Sequence, residues 1–273
     1  MKKLFVTDMD GTFFLGNRIL PGAIEYANTI NGIGAKLVFL TNNSSNTEEA
    51  YIEKMKGFGF PEGTFDIFTS IESTTLFLKK KFPGRKIFLL ATPNVEKAIA
   101  SQGIIQEKEK PDVIVMTFDT TLNYEKINAF CKFARKGLPY VISHPDINCP
   151  TPEGPIPDVG SFIALVERST GRKPDYILGK PDIKILKMLM EKYNVEKVET
   201  LIVGDRLYTD IKCGLDANID TVLVLTGETK KEDFPEKLPE KLFVVKDLKE
   251  LLEKYNEFFI ANNGRKVYNF RRR

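Results

Sequence analysis

The chain has little of several things. Its three cysteines, Cys131, Cys149 and Cys213, lie far apart in 273 residues and form no CxxC pair. That excludes a disulfide framework and a cysteine-ligated zinc site. No run approaches the ~18 apolar residues of a membrane span, and only a short apolar stretch precedes the first acids. A cytoplasmic protein without membrane contact is expected. Charge of one sign is also scarce: the net charge is +3, and five cations with no acids fall in the terminal stretch ANNGRKVYNFRRR. The rest of the chain is slightly acidic, which argues against a nucleic-acid partner gripped by a broad basic face. The tail itself reads as a solvated end. A single histidine, His144, is present.

What is there is ordinary in bulk and patterned in detail. With 42% hydrophobic and 28% charged residues the composition is that of a soluble globular protein, near the length where single domains split. Apolar β-branched runs alternate with helical patterns along the chain. KLFVTD, AKLVFLT, FDIFTS, VETLIVGD and DTVLVLTG read as strands, and LFVVKDLKELLEKYNEFF as a strand and a long helix. Continuous apolar strands between helices predict an α/β fold with a doubly wound parallel sheet, covered on both faces. A second series, from KIFLLAT to PYVIS, is bracketed by KKKFPGRK (79–86) and STGRKPD (169–175), both hinge-like in composition. The expected division is a core of residues 1–79 and 177–273 with an inserted α/β cap over 80–176. Inside the cap, the proline-dense stretch 144–160 reads as a long functional loop.

The chemistry begins at FVTDMDGTF. Residues i and i+2 of a strand point the same way, ~6.6 Å apart, so Asp8 and Asp10 can flank one small group at the sheet end. Two buried acids this close repel unless a cation intervenes. Asp205 and Asp210, in VGDRLYTD, add a third and a fourth. Such an oxygen-rich cluster suits a hard divalent cation, Mg²⁺ best of all. Thr41, Asn42 and Asn43 follow another strand and can offer a hydroxyl and amides to phosphate oxygens. Lys180, in LGKPD, offers a point charge. Asp8 can attack phosphorus, and Asp10 can protonate the leaving oxygen and then activate water.

DMDGT, TNN, the lysine of GKP and GDRLYTD resemble, in order, the four motifs of the haloacid dehalogenase superfamily. Only 31 positions separate Asp10 from Thr41, whereas 139 separate Thr41 from Lys180. A large insertion there resembles the NagD and 4-nitrophenylphosphatase branch, which hydrolyses small phosphomonoesters with Mg²⁺. The resemblance implies Asp8 as nucleophile and Asp10 as general acid and base. It implies a metal held by the Asp8 carboxylate, the Asp10 main-chain carbonyl and Asp205, with Asp210 behind them. Thr41, Asn42, Asn43 and Lys180 would hold the phosphate. His144 and Asp146, in the cap loop, would contact the leaving group. The expected partner is a small phosphorylated metabolite, and a homodimer joined through the caps is allowed but not dictated. A phosphomutase or dehalogenase on the same scaffold, or a non-catalytic phosphate-ester binder, are the alternatives.

Overall fold

The computed structural model describes residues 1–151 and 153–260; the basic tail expected to be solvated lies outside them. The apolar runs form two parallel sheets. The first has the strand order Leu242–Val245, Asp220–Val224, Thr200–Gly204, Leu4–Thr7, Lys36–Thr41, Asp66–Thr69. Period-two alternation divides its side chains between two faces. Phe5, Leu37, Phe39 and Val203 meet helices Ala23–Gly32, Glu48–Gly57 and Leu248–Lys254. Leu4, Val6, Val38 and Ile202 meet helices Lys184–Tyr193 and Lys212–Asp216. This is the doubly wound α/β core that the sequence predicts.

From Leu4–Thr7 the chain first builds strands on one side, and only much later fills the other side with Thr200–Gly204. The order therefore reverses beside the first strand. In open parallel sheets, ligands bind at such a reversal, beyond the carboxyl ends of the strands.

The second sheet runs Tyr176–Ile177, Tyr140–Ile142, Val113–Met116, Lys86–Leu90, Ile105–Gln106, again parallel. It has a core on each face. Phe88, Leu90, Ile114 and Met116 pack on helices Tyr124–Arg135 and Val159–Thr170. Ile87, Leu89, Val113 and Val115 pack on Pro93–Ser101 and Ser70–Lys81. Helix Ser70–Lys81 follows the edge strand of the first sheet, yet it buries Ile71 and Leu78 against the second.

Two segments differ from their sequence patterns. The closing run reads as a long helix, but the helix ends at Lys254. Tyr255 and Phe258 turn in against Phe243, and Phe259 stacks on Phe5. Burial of these rings outweighs further helix turns. The stretch 144–160 is ordered in part: Asn148–Cys149 pairs antiparallel with Ile156–Pro157, and Asp158 accepts from the Val159 amide at the head of the next helix. No helix among the described residues is long and apolar enough to cross a membrane.

Candidate active site

Three strand ends and one loop supply the site. Asp8 leaves the strand Leu4–Thr7 with its amide donating to the Val203 carbonyl at 2.8 Å. Asp205 leaves Thr200–Gly204, and Asp210 lies in the π-helical turn Leu207–Ile211. One carboxylate oxygen from each of Asp8, Asp205 and Asp210 lies within 4.8 Å of the others. The Lys180 amine is 3% exposed and enters from the loop after Tyr176–Ile177. It donates to Asp8 Oδ1 and to the Leu40 carbonyl at 2.9 Å, and forms an ion pair with Asp210 Oδ1 at 2.5 Å.

Positive charge is in short supply here. Burial raises the Asp8 carboxyl well above the usual range; Lys180 opposes that shift, while Asp210 and Asp205 reinforce it. Burial, with Asp210 beside it, pushes Asp205 up to about 7. Burial disfavours charge on Lys180, but Asp210 and Asp8 outweigh it and raise the amine. Asp10 is raised by burial against the pull of Lys54, Arg206 and Lys180.

Asp205 is held tightly. Its Oδ2 accepts from the Glu228 amide at 2.7 Å and its Oδ1 from Thr12 Oγ1 at 3.3 Å. Gly11, at φ +88°, passes so close that a Cβ there would lie 2.7 Å from Asp205 Oδ2. Both its left-handed backbone and its bare Cα are therefore required.

Thr41, Asn42 and Asn43 all line the same cavity as Asp8, Asp10 and Asp210. Thr41 Oγ1 accepts from the Asn43 amide at 3.1 Å. The Asn42 side chain is already committed: its Oδ1 accepts from the Lys180 amide at 2.8 Å, and its Nδ2 donates to the Lys180 carbonyl and to Asp146. Asn43 Oδ1 accepts from the Ser45 amide at 3.0 Å. From the second sheet's side come Asp146, Cys149, Pro150 and Asp158, and Arg206 and Thr209 complete the wall. Free space amounts to about 20 Å³, room for about one water.

His144 is not in that wall. It is fully buried, its Nε2 3.0 Å from Ser44 Oγ, and burial lowers it to about 4. Asp146 does reach the cavity, paired with Arg206 Nη1 at 2.8 Å. The sequence reading misses Arg206, Asp158 and Ser44. Arg206 stands inside GDRLYTD, where attention falls on the acids, and no pattern separates it from a surface arginine. Burial pushes the Cys149 thiol up to about 12, so it is a packed, unreactive neighbour.

A doubly wound sheet with a lysine-bridged aspartate cluster at its reversal, facing a second α/β unit, defines a haloacid dehalogenase-like hydrolase. The sequence profile of haloacid dehalogenase-like hydrolases matches residues 5–105, and a HAD-hydrolase-like profile matches residues 177–251. The 5'-nucleotidase YutF of Bacillus subtilis is 31% identical over 248 residues, covering 91% of this chain and 96% of the relative. The crystal structure of 4-nitrophenylphosphatase from Thermotoga maritima superposes with a TM-score of 0.87 at 44% identity, covering 92% of this chain and 97% of that one. Glycerol phosphate phosphatase from Mycobacterium tuberculosis, crystallised with magnesium, gives 0.82 at 25% identity, covering 92% of this chain and 76% of that one. The chain belongs to the haloacid dehalogenase-like hydrolase family, in its NagD-like branch, and is a phosphoric monoester hydrolase.

Proposed function

We propose that the protein is a Mg²⁺-dependent phosphatase that hydrolyses small phosphomonoesters, such as 4-nitrophenyl, nucleotide or sugar phosphates, through an aspartyl phosphate on Asp8. The observation that carries this reading is the convergence of the Asp8, Asp205 and Asp210 oxygens at the sheet reversal, with the Lys180 amine paired to Asp8 and Asp210. The donor set fits a hard cation. Its ligands are oxygens, its carboxyls are raised by burial and by one another, and Gly11 keeps side-chain carbon away from Asp205. Asp8, the Asp10 carbonyl and Asp205 would hold the ion, with Asp210 behind them. Once bound, it would supply positive charge against the phosphate oxygens.

In this reading an Asp8 oxygen forms the new bond to phosphorus as the bond to the leaving oxygen breaks. Asp10 protonates that oxygen, a role suited to a carboxyl raised by burial. Asp10 then takes a proton from the water that attacks phosphorus, and the bond to Asp8 breaks with release of phosphate. Lys180 favours the ionised form of Asp8 against its burial and balances charge on the phosphoryl oxygens. Thr41 Oγ and the amides of Asn42 and Asn43 complete the phosphate cradle. The second unit, residues 80–176, acts as a cap that selects the ester and sheds bulk water on closing.

The test is Asp8→Asn with 4-nitrophenyl phosphate, beside the wild type with and without EDTA. Loss of the nucleophile should lower kcat by about 10⁴-fold or more, and chelation should remove activity that added Mg²⁺ restores. A fully active Asp8→Asn enzyme, or indifference to EDTA, would refute the reading.

A further inference from the structure

The sequence leads one to expect His144 and Asp146, in the loop 144–160 of the second unit, to contact the leaving group. The loop's geometry points to another task for Asp146. The side chain is 3% exposed, and each of its oxygens already accepts from the first unit. Oδ1 takes Asn42 Nδ2 at 3.0 Å; Oδ2 takes Arg206 Nη1 at 2.8 Å. These two partners stand at the ends of different strands.

Each partner is in turn fastened to a catalytic group. Asn42 grips the Lys180 backbone on both sides, accepting from its amide at 2.8 Å and donating to its carbonyl at 2.9 Å. Arg206 follows Asp205 directly, and its amide donates to Asp210 Oδ2 at 3.3 Å. Arg206 Nε also lies 2.9 Å from Glu228 Oε2, though off the line of a hydrogen bond, and the Glu228 amide is a donor to Asp205. One carboxylate of the second unit thus ties together the lysine loop and the acid loop.

We propose that Asp146, Arg206 and Asn42 form a closure latch, positioning residues that seat the cap and thereby set Lys180 and Asp205 for the reaction. The proposal rests on the phosphatase reading above. With free space for about one water between the units, an ester enters only when they part. Parting exposes the Asp146–Arg206 pair to water, and closing strips it again. A buried ion pair of this kind adds little net affinity but penalises every misregistered closure, because a lone buried charge is costly. Closure is therefore completed only in the register that also places the lysine.

Steady-state kinetics of wild type, Asp146→Asn, Arg206→Gln and the double variant would be compared on 4-nitrophenyl phosphate, glycerol phosphate and a nucleoside monophosphate. A latch predicts that each single change lowers kcat by about 10–100-fold, by the same factor for all three esters, with the double within about 3-fold of the worse single. Arg206→Lys, which keeps the charge, should recover part of the loss and guards against a variant that fails to fold. Hydrogen exchange should quicken in segments 42–45 and 143–149 of the variants while the strand Thr200–Gly204 stays protected. If Asp146→Asn reorders the esters and Arg206→Gln does not, Asp146 reads the leaving group and the latch is refuted. Additive losses, or unchanged exchange, would also refute it. A wild type without phosphatase activity would remove the hydrolase reading alone, and the exchange measurement would still decide whether the loops are latched.

Discussion

His144 sits fully enclosed between Ser44 and two carboxylates, with Nδ1 unpartnered, 3.9 Å from Asp146, and Nε2 3.6 Å from Asp158. Burial holds it near 4, below its ordinary 6.5; Asp146 opposes that shift, and Arg206 and Lys180 add to it. Between those values the unfolded chain binds the proton and the folded chain does not, so acid favours unfolding. This contribution to stability is complete above pH 6.5 and is lost as pH falls toward 4. From pH 7 to pH 5, the wild type should lose about 2 kcal/mol more stability than His144→Gln in urea unfolding. Parallel losses would mean that the imidazole is not desolvated. The same residue shows what single positions reveal in advance. Asp8 and Asp205 were legible because each directly follows a continuously apolar run that enters the parallel sheet, Leu4–Thr7 and Thr200–Gly204. His144 and Arg206 were not, because burial and a distant partner, Ser44 100 residues from His144 and Asp146 60 residues from Arg206, set their roles, and neither leaves a local trace.

The turns that leave the strands decide how sharply the acids converge. Gly227 follows the strand Asp220–Val224 and lies so close to Asp205 that a Cβ would fall 1.9 Å from its Oδ2. No rotamer change elsewhere relieves that overlap, so Gly227→Ala must push the carboxylate or its own loop aside. Stability should fall by about 1–3 kcal/mol, as for other overpacked sites. If Asp205 is a metal ligand, the Mg²⁺ concentration for half-maximal activity should also rise by about 10-fold or more, roughly 1.4 kcal/mol or more of lost affinity. A magnesium titration that overlays the wild type, despite a lowered unfolding midpoint, would take Asp205 out of the ligand set. Elements themselves were legible where burial on both faces makes a run continuously apolar, as in Phe5-Val6 or Ile202-Val203. The helix Val159–Thr170 has no clear signature because the proline-rich stretch before it masks its start, and the C-terminal pattern reads longer than the helix because its aromatic residues suit a helix face as well as a turn.

At the scale of the molecule, two independently cored sheets meet over a space that holds about one water. The sequence shows the second series of strands, but not how it is docked, because the docking groups are small and scattered. Ser44 illustrates this. Its Oγ accepts from the Phe118 amide at 2.7 Å and lies 2.8 Å from Ser143 Oγ and 3.0 Å from His144 Nε2, three partners in the second unit. Two serine oxygens that close are near the span a disulfide needs once the longer C–S bonds are allowed for. The double variant Ser44→Cys/Ser143→Cys should therefore be able to staple the cap shut. If the units must part for each turnover, oxidation should lower kcat/KM by about 100-fold or more, with recovery on adding a thiol, while oxidised single variants stay as active as when reduced. Mass spectrometry would confirm that the cross-link had formed. An oxidised, fully cross-linked double variant that still turns over at its reduced rate would show that esters reach Asp8 without the cap moving.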